Sequence, residues 1–177
     1  DGAELNASID QALKNSHPTW IRIGKKGEPG VHFGPLSKPQ SGPLNPVLVS
    51  GNGINRTAIF ATGLPVFECV KASESLTHLG LDIDVWSVPQ LKPFPSESVY
   101  ECLKPYETVF SVEEHVPMGG LGSQLERLLS GKAAPLLVRI DAGDKFHFSV
   151  GEPSEARASI MQTSETIARA VQATTPR

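Results

Sequence analysis

One stretch limits the fold of this chain more than any other: Thr108-Val-Phe-Ser-Val-Glu-Glu-His-Val-Pro-Met-Gly-Gly-Leu-Gly-Ser-Gln-Leu-Glu-Arg-Leu-Leu129. It reads as strand, glycine turn, helix. Val109, Phe110 and Val112 form a nearly continuous apolar run, as expected of a strand buried on both faces of a parallel sheet. Gly119, Gly120 and Gly122 let the backbone turn tightly and approach its neighbours. Leu121, Leu125, Leu128 and Leu129 then recur on one face of an amphipathic helix. The stretch is half of a βαβ unit. Glu113, Glu114 and His115 fall where its strand ends, and open α/β sheets place ligands at strand carboxyl ends.

The remaining elements follow from periodicity and turn chemistry. Leu5, Ile9, Ala12 and Leu13 keep helical spacing, which predicts a helix over 3–15. Pro18 breaks it, and the β-branched and aromatic Thr19-Trp-Ile-Arg-Ile23 predicts a strand. Residues 27–45 are rich in proline, glycine and serine and read as a linker lying over a surface. Residues 46–50 and 56–62 read as two strands joined by the turn residues Gly51-Asn-Gly-Ile-Asn55, hence as a hairpin with 46–50 antiparallel at an edge. A helix over about 64–79 capped by Gly80, a strand over 81–88, a short helix over 96–104 and a strand over 134–140 follow. Residues 141–158 read as irregular, and Ser159 to Gln162 spells a capping box opening a terminal helix with Ile160, Ile167 and Val171. Strands and helices alternating at short spacing predict a three-layer α/β domain, its sheet mostly parallel with one antiparallel edge strand. The predicted division is a helix–strand remnant of a preceding domain at 1–26, a linker at 27–45, and the α/β domain at 46–177.

Charge narrows the function classes. A formal charge of -3 and the absence of any long basic run give no electrostatic case for nucleic acid. No apolar stretch reaches the roughly 18 residues of a membrane span, and no secretory leader opens the sequence, so a cytoplasmic location is expected. Cys69 and Cys102 fall in different predicted helices and read as reduced thiols. The chain opens on Asp1 rather than Met, which suggests a fragment or a processed piece.

Few residues form a candidate site. Met118-Gly-Gly-Leu-Gly122 resembles part of a dinucleotide-binding fingerprint, and Asp141 lies near the spacing of its acidic partner, but no third glycine follows where the motif needs one. Close helix–strand packing explains the glycines as well, although the helix N-terminus at 118–122 could hold a nucleotide or another anion. Glu113 and Glu114 are adjacent on a strand and point to opposite faces, so they do not easily serve one site. One is expected to bind backbone amides of the glycine turn. The other, with His115, is expected to meet solvent or an adjoining domain. Glu114, His115, Gly119, Gly120 and Gly122 are therefore the candidate interface or anion site. Lys25 and Lys26 lie just past a predicted strand end, where a cation could take a phosphate. The five histidines lack metal-ligand spacing.

Four segments, in order, resemble the carboxyl-terminal part of transketolase-type enzymes that depend on thiamine diphosphate. They are Pro18-Thr-Trp-Ile-Arg-Ile-Gly-Lys25; Thr57-Ala-Ile-Phe-Ala-Thr-Gly63 with Ile83-Asp-Val-Trp and Leu91-Lys-Pro-Phe94; Val112-Glu-Glu-His with Gly119-Gly-Leu-Gly122; and Asp144-Lys-Phe, Gly151-Glu-Pro and Ile167-Ala-Arg-Ala-Val171. Acetoin, pyruvate and deoxyxylulose-phosphate relatives share this layout. The resemblance implies a transferase of two-carbon ketol units between sugar phosphates. In the complete enzyme, thiamine diphosphate and magnesium are bound by preceding domains or by a separate partner polypeptide. It also implies a homodimer in which two chains build each active site. The cofactor-activating glutamate and the magnesium motif of the family are not in this sequence, so neither cofactor nor catalytic residue is expected on this chain alone. Lys25 stands where the family places a phosphate-binding arginine, which makes it the expected substrate-phosphate ligand. Arg22 matches a second basic position and carries no assigned role.

Overall fold

The computed structural model describes residues 1–24, 27, 29–32, 34, 36, 42–132, 134–148, 151–160 and 162–175. Among these residues five strands form one sheet: β1 (Val47–Ser50), β2 (Thr57–Ala61), β3 (Asp84–Ser87), β4 (Thr108–Val112) and β5 (Leu136–Ile140). Their order is β1-β3-β2-β4-β5; only β1 runs antiparallel, at the edge beside β3. Six helices among the described residues accompany them: α1 (Gly2–Lys14), α2 (Pro65–Thr77), α3 (Ser96–Leu103), α4 (Leu121–Leu129), α5 (Pro153–Ser159) and α6 (Ser164–Thr174).

The two-residue side-chain period of the strands divides the core into two layers. Ile59, Ala61, Val85, Phe110 and Val112 face α2 and α6, meeting Val66, Cys69, Leu76, Ile167 and Val171. Ala58, Phe60 and Val109 face α3 and α4, meeting Val99, Leu103, Leu121, Leu125 and Leu129. Glu68 of α2 accepts the Ser164 amide at 3.0 Å, placing a carboxylate at the N-terminus of α6. Cys69 and Cys102 are free thiols on separate helices, and burial pushes both upward in pKa. No helix among the described residues is long and apolar enough to cross a membrane.

The predicted hairpin does not form, because β3 lies between β1 and β2. The cause is Asp84, fully buried at the start of β3. Its carboxylate accepts the amides of Asn52 (2.9 Å), Gly53 (3.1 Å) and Asn55 (3.3 Å), the Asn55 side chain (2.8 Å) and the Tyr106 hydroxyl (2.9 Å). The turn is thus drawn across the start of β3, and β1 comes down on its far side. Gly51 permits this approach: its φ is +97°, and a Cβ there would sit 2.1 Å from Asp84 Oδ1. Trp86 Nε1 donates to the Tyr106 oxygen at 2.8 Å, and burial raises the Tyr106 pKa.

Three other expectations change. Residues 19–23 form no strand, because no described strand pairs with them; Trp20 and Ile23 are exposed. The region 141–158 is not wholly irregular but contains the start of α5. The terminal helix opens at Thr163, not Ser159. Ser159 ends α5 with its hydroxyl donating to the Ala156 carbonyl at 2.6 Å, while Thr163 Oγ1 accepts the Thr166 amide at 3.4 Å.

Candidate functional site at the carboxyl ends of β2 and β4

The strand order reverses direction between β2 and β4: β3 lies to one side of β2, and β4 and β5 lie to the other. In open α/β sheets such a reversal opens a crevice beyond the strand carboxyl ends. Here its rims are the 62–64 turn and the loop 113–120.

Glu113 decides the shape of that loop. It is the first residue past β4, and its amide continues the sheet pairing to the Ile140 carbonyl at 3.1 Å. Its side chain is almost fully buried and turns back under α4, accepting the amides of Leu121 (2.6 Å) and Gly122 (2.7 Å). These are amides of the first turn of α4, which have no carbonyl partner within the helix. A carboxylate is the best acceptor for them, and the helix dipole favours its charge. Two glycines make the approach possible. A Cβ on Gly120 would lie 1.9 Å from Glu113 Oε2. A Cβ on Gly122 would lie 2.6 Å from Arg139 Nε and 3.0 Å from Ser111 Oγ. Gly119 adopts φ +87° at the start of the turn.

The rest of the loop is tied down by its own side chains. Ser123 Oγ donates to the Pro117 carbonyl at 2.8 Å and accepts the Gly119 amide at 3.1 Å. Arg139 also donates to the Pro117 carbonyl, and it lies 3.1 Å from Glu126 and 3.7 Å from Asp141. Gln162, fully buried, donates through Nε2 to the Glu113 carbonyl, and the His115 carbonyl accepts the Ala142 amide at 3.0 Å.

The candidate residues thus separate into two groups. Gly120 and Gly122 are buried beneath Glu113, whereas His115 and Gly119 are exposed. Glu114 lies between them and meets Arg22: both Nη1 and Nη2 donate to Glu114 Oε2 at 3.2 Å. This pair, across 92 positions, was not legible in the sequence, although the basic residue of one segment and the acidic residue of another were its two halves. Lys25 lies outside the described residues. A second polar cluster was missed outright. His32 is buried between Asp1 (Nδ1 to Oδ1, 3.0 Å) and Glu4 (Nε2 to Oε1, 3.6 Å), and Glu4 also accepts the Ser87 hydroxyl. Burial lowers the His32 pKa, against the pull of Glu4. The signal available was only the Asp1–Glu4 capping box of α1.

A family model described as the transketolase C-terminal domain matches residues 52–141. A subunit of the apulose-4-phosphate transketolase of Actinobacillus succinogenes is 31% identical over 141 residues, 77% of this chain and 42% of that protein. The 6-deoxy-6-sulfo-D-fructose transketolase subunit SqwH of a Clostridium species is 28% identical over the full 177 residues, which is 53% of its own length. The 1-deoxy-D-xylulose-5-phosphate synthase of Caldanaerobacter subterraneus is 32% identical over 152 residues, 82% of this chain and 23% of that protein. Among solved structures, a split-gene transketolase described as an inactive β4 tetramer superposes with a TM-score of 0.84 at 27% identity, covering 98% of this chain and 55% of that one. The chain therefore spans about half, or less, of the length of these relatives.

Proposed function

Since the chain belongs to the transketolase C-terminal domain family, we propose that it is the C-terminal part of a thiamine-diphosphate-dependent enzyme that moves two-carbon ketol units between sugar phosphates. In this reading its own contribution is assembly and the wall of the substrate channel. The division into 1–26, 27–45 and 46–177 belongs to the same proposal, with the matched segment 52–141 inside its third part. The partner is a second copy of this chain together with a polypeptide carrying the diphosphate- and pyrimidine-binding domains. Two relatives, one of them a transketolase subunit and the other a split-gene transketolase, support a partner polypeptide.

The observation that carries the reading is the Glu113 carboxylate on the α4 amides. It occupies with a side chain the helix-start amides that a nucleotide or free anion would otherwise take at the 118–122 turn. That favours an assembly domain over a stand-alone anion-binding module. Among the described residues no group of three or more His, Cys, Asp and Glu side chains is arranged to hold a metal ion. In this reading the cofactor and its magnesium belong to the domains of the partner polypeptide. Glu114 and His115, on the outer side of the same loop, form part of the surface offered to an adjoining domain.

Lys25 is the proposed ligand of the substrate's phosphate group. A lysine gives a point charge in place of a bidentate fork, so it holds the phosphate without fixing its orientation. In the assembled enzyme Lys25→Ala should raise KM for phosphorylated substrates and leave an unphosphorylated aldose unaffected. An unchanged KM removes Lys25 from the site.

A further inference from the structure

We propose that Asn52 is a site of spontaneous covalent modification, deamidation through a cyclic imide formed with Gly53, that the Asp84 carboxylate holds the reaction back, and that reaction frees the 51–55 turn from Asp84.

Asn52 is the one asparagine of the sequence followed by glycine. Glycine leaves the approach to the asparagine side chain open, because no Cβ stands beside the attacking nitrogen. In the reaction the Gly53 nitrogen attacks Asn52 Cγ and the Cγ–Nδ2 bond breaks. The side-chain nitrogen leaves as ammonia, carrying off the proton lost from the Gly53 amide. Water then opens the imide at either carbonyl, giving aspartate or its isoaspartyl isomer, in which the main chain runs through the side-chain carbons. Water is the only other reactant, and Asn52 lies exposed on its turn.

The folded turn keeps both reacting groups from this step. The Gly53 nitrogen must lose its proton to attack, and that N–H donates to Asp84 Oδ1 at 3.1 Å. A carboxylate at this distance disfavours a second negative charge on the nitrogen. The same oxygen accepts the Asn52 amide at 2.9 Å, while Asn52 Oδ1 accepts the Ile54 amide at 3.0 Å, so backbone and side chain of Asn52 are both fixed. Asp84 is fully buried and cannot follow the turn outward. Reaction therefore waits for the turn to lift off Asp84. The products cannot settle back. The isoaspartyl form lengthens the main chain between two amides that share one carboxylate oxygen, and either product sets a new carboxylate beside Asp84. The contact that draws β1 past β3, next to the pairing of Ser50 with Val85, is then lost.

The test is site-resolved mass spectrometry of the full chain incubated in mildly alkaline buffer, folded and in urea. Asn15, exposed at the end of α1 and followed by Ser16, is the internal reference. A hydrogen bond to a charged acceptor opposes opening about ten- to a hundredfold, so the rate at Asn52 relative to Asn15 should fall by that factor on folding. Asp84→Asn keeps an acceptor and removes the charge, and should restore most of the ratio in the folded chain. Hydrogen exchange on wild type asks the same question without a variant: the Gly53 amide should be protected by the factor that slows deamidation. Chain modified at position 52 should unfold at a lower urea concentration than unmodified chain. An equal ratio in folded and unfolded chain, a folded Asp84→Asn that reacts no faster than wild type, a freely exchanging Gly53 amide, or a modified chain as stable as the unmodified one overturns the proposal.

Discussion

Replacing Gly120 with alanine tests the arrangement at the head of α4 in a single methyl group. The backbone there has φ −83° and ψ −163°, which alanine adopts without strain. Whatever the substitution costs must therefore come from contact. The new Cβ would lie 1.9 Å from Glu113 Oε2 and 2.5 Å from its carboxyl carbon, inside any real non-bonded distance. The carboxylate has no free space to retreat into, since it is buried and bonded at 2.6 and 2.7 Å to two amides. Moving it leaves those amides unsatisfied, at about 1–3 kcal/mol for each buried donor. Taking one amide lost and one kept, Gly120→Ala should destabilise by roughly 2–3 kcal/mol. In a chain of this size that lowers Tm by about 5–10 °C. The assay is urea unfolding of wild type, Gly120→Ala, Glu113→Ala and the double variant. Glu113→Ala is itself costly, by about 2–5 kcal/mol, because it strands both amides. In its background the clash has gone, so Gly120→Ala should then cost under about 0.5 kcal/mol. A cost for Gly120→Ala that is the same in both backgrounds, or negligible in wild type, would refute the geometry.

Three further outcomes follow from other parts of the fold. Asp84→Ala, which strands the amides of Asn52, Gly53 and Asn55 and the Tyr106 hydroxyl, should cost about 3–5 kcal/mol by urea unfolding. Tyr106→Phe, which removes only one donor and leaves the Trp86 indole without its acceptor, should cost less, about 1–2 kcal/mol; equal losses would mean that Asp84 does not hold the turn. His32 has a folded-state pKa below its ordinary value, chiefly because it is buried. The unfolded chain therefore takes up the proton first, so this contribution to stability is full above the unfolded pKa of about 6.5 and is lost as pH falls below it. His32→Gln should flatten the fall in stability as pH drops through that unfolded value; a fall as steep as wild type would remove His32 from the cause.

The middle of the sheet was readable because β2 and β4 are buried on both faces. Runs such as Val109 to Val112 and Ile59 to Ala61 have no polar face to blur their limits, and their linking helices carry clear apolar stripes. What local pattern could not give was anything decided by a distant partner. Gly51 to Asn55 has the composition of a hairpin turn, yet Asp84, some thirty residues on, captures it and sends β1 past β3. Ser159 to Gln162 has the spacing of a capping box, yet Gln162 is drawn into the core by the Glu113 carbonyl. At the candidate site the alternation of strand side chains did separate the two glutamates, and Glu113 sits on the glycine-turn amides. The partner of Glu114 was unreadable because ion pairs between segments leave no periodic trace. The strand expected at 19–23 has the right residues but needs a neighbouring edge, and propensity cannot supply one.

The most direct test of the account is turnover itself, measured with thiamine diphosphate, magnesium, a ketose phosphate and an aldose phosphate. The chain alone should transfer no two-carbon unit, and adding the polypeptide that carries the diphosphate- and pyrimidine-binding domains should bring activity in step with complex formation. Sustained turnover by the chain alone, or a complex that forms and stays inactive with every sugar phosphate tried, would contradict it.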